Sequence, residues 1–314
     1  MGKKIAAEPM TFTHAFSAGH AGRHETFTPR YGWLKKGYDH CLANPHVFND
    51  DSAIEQLGVG KNMVRSIRFW CVLFRLLEDA GEPGFLQPTD FGQRLLNTEN
   101  GWDPYLEDPA SLWLLHWQIF RPPFMAVSWN LAFTYTPLSA FKVSELSDSI
   151  HAKAREIERL SQIAKSSFEK DASCLLRMYA SGVRERADIR CPFTDLGLIF
   201  PAAEQQDPDR YHFASGPKKT LPDLVFMAAV FDYAAQWFPG QQSLLLTQIT
   251  FEPNSPGMAF RLSESDCGQR LDRICRQLKG STFTDTNGIQ QLQFSGDPEK
   301  LSRTCLAQYY REAR

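Results

Sequence analysis

The chain has 314 residues, 43% of them hydrophobic and 22% charged, with a formal net charge of −2. That balance excludes wholesale disorder and a polycationic coat for DNA, and the length predicts two or three modules of roughly 100 residues each. No run of about 18 apolar residues occurs, and the N-terminus lacks the apolar core of a signal peptide, so the expected location is the cytoplasm, without a membrane span.

Seven scattered cysteines without a Cys-x-x-Cys pair read as reduced and mostly buried. With no global positive charge, any DNA contact has to come from local basic faces. Residues 30–77 hold seven Lys/Arg against four acids, and residues 151–190 hold nine against six.

In the first of these segments Trp33, Leu34, Tyr38, Cys41 and Leu42 recur at helical spacing and predict a helix within Tyr31–Asn44. Asp50, Asp51 and Ser52 supply N-cap chemistry for a short helix, Ala53–Leu57, which Gly58-Val59-Gly60 ends. A longer helical pattern, Lys61–Leu77, follows, with an apolar face and a polar, basic start. A short helix, a glycine turn and a second helix with basic first turns is the helix-turn-helix layout, in which the start of the second helix enters the major groove. Lys61, Asn62, Arg65 and Arg68 are the expected DNA contacts, with Arg and Asn suited to base edges. A strand near Phe85–Pro88 and a helix begun by Thr89 would complete a winged helix.

Upstream, His24 and Glu25 form a polar cluster that reads as part of an ordered arm packing Phe27 and Trp33 on this module, in preference to a catalytic pair. Arg30, Lys35 and Lys36 then lie near phosphate or solvent.

Residues 101–118 join three acids to an apolar helix starting near Pro109. Asp108 ahead of Pro109 fits N-cap chemistry. The sharper alternative is that Asp103, Glu107 and Asp108, with His116, hold Mg²⁺ or Mn²⁺ for phosphodiester cleavage, because such ions prefer carboxylate oxygens and activate water.

Pro122-Pro123 breaks the chain, and Trp129–Tyr135 fits either a strand or a buried helix. Helical periodicity returns over Ser144–Met178, where Ser166 or Ser167 can cap a second helix. Lys165, Ser166, Ser167 and Lys170 are the expected DNA contacts of a second helix-turn-helix. Arg184–Asp188 reads as an exposed connection, Glu204–Arg210 as a polar loop and Tyr211–Phe213 as a strand. Leu224–Phe238 and Leu271–Leu278 read as helices, followed by a hairpin turning at Asn287-Gly288. No phosphate-binding glycine loop or nucleophile elbow occurs, so no nucleotide cofactor is expected.

The expected fold is mainly α with short β-hairpins, in tandem winged-helix (helix-turn-helix) modules: a winged-helix DNA-binding module over 1–120, a second helix-turn-helix-like module over 121–215 and a helix-plus-hairpin module over 216–314.

Three stretches carry a family resemblance: His24-Glu25-Thr26-Phe27 through Gly37, Leu57-Gly58-Val59-Gly60-Lys61-Asn62-Met63-Val64, and Asp103-Pro104-Tyr105-Leu106-Glu107-Asp108 through His116. Weaker echoes run to Leu262. On these the chain resembles the SspB-type proteins of bacterial DNA phosphorothioation and phage defence. One departure is an extra Ala21-Gly22-Arg23 before His24, which would place the arm differently. The resemblance implies a component of a system that replaces a non-bridging phosphate oxygen by sulfur, in which the SspB-type protein nicks DNA beside an ATPase and a sulfurtransferase. The competing expectation is a non-catalytic winged-helix adaptor or transcription regulator that recruits partner proteins.

Overall fold

The computed structural model describes residues 10–180, 190–202 and 209–312. The chain begins with α1 (Phe12–Ala15), α2 (Trp33–Ala43), α3 (Ala53–Leu57) and α4 (Lys61–Leu73). An antiparallel hairpin of β1 (Leu77–Asp79) and β2 (Leu86–Pro88) follows, then α5 (Asp90–Leu96). The α2 and α4 backbones approach closely at Gly37, where a Cβ would lie 2.6 Å from Cys71 Sγ. Helix α3 has the expected bounds and ends on Gly58 in the left-handed region. Helix α4 is shorter than its apolar pattern suggests. Arg75, at φ 55°, turns the chain, and its guanidinium donates to the carbonyls of Arg121 and Pro122. Leu77 therefore opens β1 instead of ending a helix.

Two helices then run through the interior, α6 (Pro109–Ile119) and α7 (Val127–Thr134). All residues of α6 from Ala110 to Ile119 are buried, as expected of a helix apolar all round. Asp108 caps it, accepting from Ala110 N at 2.9 Å, with Pro109 in the first turn. The ambiguous Trp129–Tyr135 stretch is resolved as helix in α7.

Strand β3 (Ala140–Phe141) leads to the pair α8 (Val143–Arg155) and α9 (Lys165–Tyr179). Ala164 is the N-cap of α9 and no side chain caps it, so Ser166 and Ser167 lie inside its first turn and are not caps. Strands β4 (Ile199–Pro201) and β5 (Tyr211–Phe213) complete a sheet of order β3-β5-β4. The expected connection Arg184–Asp188 and most of the loop Glu204–Arg210 lie outside the described residues.

The buried helix α10 (Asp223–Trp237) precedes β6 (Ser243–Leu245), α11 (Leu246–Phe251), α12 (Pro256–Phe260) and α13 (Glu264–Cys275). Strands β7 (Ser281–Thr286) and β8 (Ile289–Phe294) form the expected hairpin, with Asn287 and Gly288 both at positive φ as a type I′ turn needs. Helix α14 (Pro298–Glu312) packs along α10. The result is mainly α with small antiparallel sheets. No described helix is long and apolar enough to cross a membrane. All seven cysteines are free, and all but the half-buried Cys275 are buried.

One apolar cluster extends from Ala15 to Tyr310, across both expected module boundaries. Helix α6 is pinned to the later segments by polar contacts as well. Trp113 Nε1 donates to Thr220 Oγ1, Trp117 Nε1 donates to Asp232, and Ser111 Oγ pairs with Tyr310 OH. Fully buried His116 joins α6 to α9 and α12: one ring nitrogen donates to the Ala259 carbonyl and the other faces Tyr179 OH, both at 2.8 Å.

Burial lowers the His116 pKa from 6.5 to about 4. The unfolded chain therefore binds a proton, in the window between these values, that the folded chain refuses, and stability falls as pH drops through it. Urea titrations should show the wild-type chain losing about 2 kcal/mol more than His116→Gln between pH 7 and pH 5. Equal losses would remove His116 from the acid response.

Candidate nucleic-acid interface

Residues 22–27 form an arm laid along α9 and across α4. Gly22 sits beside Ser167 in the first turn of α9, its N–H donating at 2.7 Å to Oδ1 of Asp171. His24 reaches the same oxygen through Nε2 at 2.8 Å, and Ser128 Oγ of α7 donates to Oδ2 at 2.5 Å. His24, Ser128 and Asp171 are all buried. Because Thr26 N donates to His24 Nδ1 at 3.1 Å, the ring proton is assigned to Nε2. The His24 ring stacks on Trp70 of α4 and meets the Trp129 ring edge-on. Serine and histidine both turn toward the carboxylate, so this is a clamp and not a nucleophile–base pair. The preferred reading of His24 as part of an ordered arm fits this geometry.

Glu25 and Thr26 occupy the left-handed region at φ 51° and 64°, which is costly for a β-branched residue. Flanking hydrogen bonds hold the strain. Arg177, in the last turn of α9, donates to the Thr26 carbonyl at 2.6 Å, and Trp70 Nε1 donates to the Phe27 carbonyl at 3.0 Å. The arm thus ties α4 to α9 and puts Arg65 and Arg177 on either side of two consecutive residues, since Arg65 Nη1 lies 3.7 Å from the Glu25 carboxylate.

The expected contacts divide by environment. Lys61 and Asn62 are exposed at the start of α4, and Lys170 is exposed on α9; none has a polar side-chain partner among the described residues. Arg65 is 56% exposed in a loose ion pair, which leaves it free to exchange Glu25 for phosphate. Arg68 pairs with Asp79 of β1, and Lys165 with Asp148 of α8. Arg30 lies over the Trp33 ring at 5.0 Å. One residue is corrected. Lys35 is buried and its ammonium donates to Asp39, the Leu96 carbonyl and Thr98, so no proton remains for phosphate. Lys36 is half-buried and donates to the Leu57 carbonyl, tying α2 to α3.

Sequence reasoning missed Arg177, Ser128 and Asp171. The signal for Asp171 was present: a carboxylate on the α9 stripe of Phe168, Ala172 and Leu175 has to find buried donors.

In the acidic loop before α6 the N-cap reading of Asp108 holds and the metal alternative does not. Asp103 Oδ1 accepts from Glu107 N, and Oδ2 accepts from Asp108 N and from Ser111 Oγ at 2.6 Å. Asp108 accepts from Ala110 N and from Tyr309 OH. Both ring nitrogens of His116 are engaged in the core. These residues do not fit Mg²⁺ or Mn²⁺, which need carboxylate lone pairs turned to a common centre. No cluster of three or more His, Cys, Asp or Glu that could hold a metal occurs among the described residues. The Asp103 and Asp108 carboxylates are engaged in a folded loop and cap, which Glu107 enters through its backbone amide.

Two outcomes follow. Asp171→Ala strands three donors, two of them buried, and should cost on the order of 3 kcal/mol, with faster hydrogen exchange over residues 20–28. Asp103→Ala should cost about 2 kcal/mol in urea unfolding while leaving Mg²⁺ affinity, measured by calorimetry, unchanged. A lost Mg²⁺ isotherm in a folded Asp103→Ala protein would restore the metal site.

The family described as Protein of unknown function (DUF4007) matches residues 21–310. None of the curated proteins matches the chain. Two solved structures, one of SspB and one of magnesium ion-bound SspB, are each similar to it at 33% identity, over 96% of this chain and 91% of theirs, with a TM-score of 0.87. The resemblance carried by the arm, the start of α4 and the Asp103–His116 segment is thereby borne out: the chain belongs to the DUF4007 family and to the family of SspB.

Proposed function

We propose that this chain is a DNA-binding component of a DNA phosphorothioation and defence system, docking duplex on the face where the arm joins α4 to α9. The observation that carries the reading is the arm itself. A buried carboxylate and two strained residues are maintained to hold two helices bearing exposed basic side chains in one fixed relation. Such rigidity suits a phosphate-tracking surface, which gains from pre-organised donors.

The order α2, α3, α4, β1, β2 agrees with that of a winged helix, with α4 as the helix offered to the major groove. Lys61 and Arg65 would hold phosphate or guanine, and Asn62 an adenine edge. The β1–β2 hairpin carries Glu78, Asp79 and Glu82, so the wing would stand off the phosphates and the second backbone contact would come from Lys170 and Arg177. Strand nicking and work beside an ATPase and a sulfurtransferase come into the proposal from membership of the SspB family. No cleavage step is assigned to Asp103 or Asp108, whose oxygens are spent on the loop.

Fluorescence anisotropy with a short duplex over a salt series tests the reading. Lys61→Ala with Arg65→Ala should weaken binding on the order of tenfold at low salt and flatten the log K against log[salt] slope by about two. An unchanged slope, or wild-type binding that ignores salt, would favour an adaptor surface for protein.

A further inference from the structure

Tyr105 and Tyr31 are the most exposed aromatic rings among the described residues, at 64% and 57%, and both line one cavity of about 340 Å³. Its floor is apolar, with buried Leu112 and Leu196 beside Leu106 and Pro109, and its rim carries Glu107, Asp195 and Thr220. Tyr31 is tied through its hydroxyl, and Tyr105 stands on a folded backbone. The Tyr31 hydroxyl donates to Asp195 at 3.2 Å. Tyr105 stands in the loop that Asp103 folds by accepting from Glu107 N and Asp108 N, and the next residue, Leu106, is forced to φ 55°. Water-facing aromatic rings on fixed backbone are stacking surfaces prepared before any guest arrives.

The rim indicates the guest. Asp195 is already occupied by Tyr31 and by Arg190, whereas the Glu107 carboxylate has no side-chain partner among the described residues and is left to accept N–H groups. A cationic side chain is disfavoured because the Lys35 ammonium already lies 5.9 Å from the Tyr105 ring. A phosphate is disfavoured by the two carboxylates. A flat, neutral heterocycle with N–H donors on its edge satisfies all three conditions. Tyr31 is five residues beyond Thr26 in the arm, so it lies within roughly 17 Å of the Arg177 contact, a few nucleotide steps along a strand docked there.

We propose that this slot holds one unpaired nucleobase, stacked against Tyr105 and Tyr31 and read by Glu107, when a strand is opened beside the α4–arm–α9 face; the proposal rests on the DNA-binding reading above. An opened base has to be sheltered by stacking and edge contacts, which the slot supplies. Asp103 is then a positioning residue for Tyr105.

The test uses the full chain and a duplex with a short single-stranded gap containing 2-aminopurine, beside the same duplex with an abasic position there and an intact duplex. The wild-type chain should quench the 2-aminopurine and bind the base-containing gap about ten- to a hundredfold more tightly than the abasic one. Tyr105→Ala and Tyr31→Ala should lose quenching and discrimination while binding intact duplex as before, and Tyr105→Phe should restore both. A wild-type chain that binds duplex but does not discriminate, or alanine variants that still quench, would overturn the slot. If the chain binds no DNA at all, the DNA-binding reading fails, and free 2-aminopurine riboside then decides the slot: saturation transfer lost in Tyr105→Ala supports it, and no transfer to the wild-type chain overturns it.

Discussion

Asp171 accepts from the Gly22 amide, the His24 ring and the Ser128 hydroxyl, and it does so from the apolar stripe of α9 with its side chain only 1% exposed. Burying a carboxylate is expensive, and satisfying both oxygens from three directions offsets that cost only while every donor remains in place. The arrangement is therefore intolerant of partial loss. Its products are the strained Glu25–Thr26 backbone, the Thr26 and Phe27 carbonyls turned to Arg177 and Trp70, and the fixed relation of α4 to α9. Everything inferred about DNA contact depends on that relation.

Behind this face the interior is organised by helices with no polar side. Helices α6, α7 and α10 are buried almost along their whole lengths, and the tryptophan, histidine and serine groups of α6 reach partners 63 to 199 residues away in the chain. Helix α6 thus shares its surroundings with segments from the far end of the chain. The core is continuous through α6, and the sheets among the described residues have two or three strands each.

The local alphabet of the sequence was legible where local rules decide. Helix α3 with its glycine stop, the Thr89 and Asp108 caps, the Tyr211–Phe213 strand and the Asn-Gly hairpin all follow from neighbours a few residues apart. The end of α4 was not legible, because Arg75 finds its acceptors around Pro122. Nor was the burial of Lys35, whose acceptors include Leu96 and Thr98. The acidic loop misled for a related reason: three carboxylates within six residues look like a cation site until the amides of Glu107 and Asp108 fold back onto Asp103. Of the candidate interface, the basic start of α4 could be read directly, while its junction with α9 depends on a contact between residues 24 and 171 that no periodicity encodes.

Hydrogen–deuterium exchange of the chain with and without a short duplex at low salt tests the central claim most directly. The account predicts protection concentrated in residues 22–30, the first turns of α4 and the exposed side of α9, with little change along β7 and β8. Protection confined to the β7–β8 hairpin or to α13, with the arm and α4 unaffected, would contradict it.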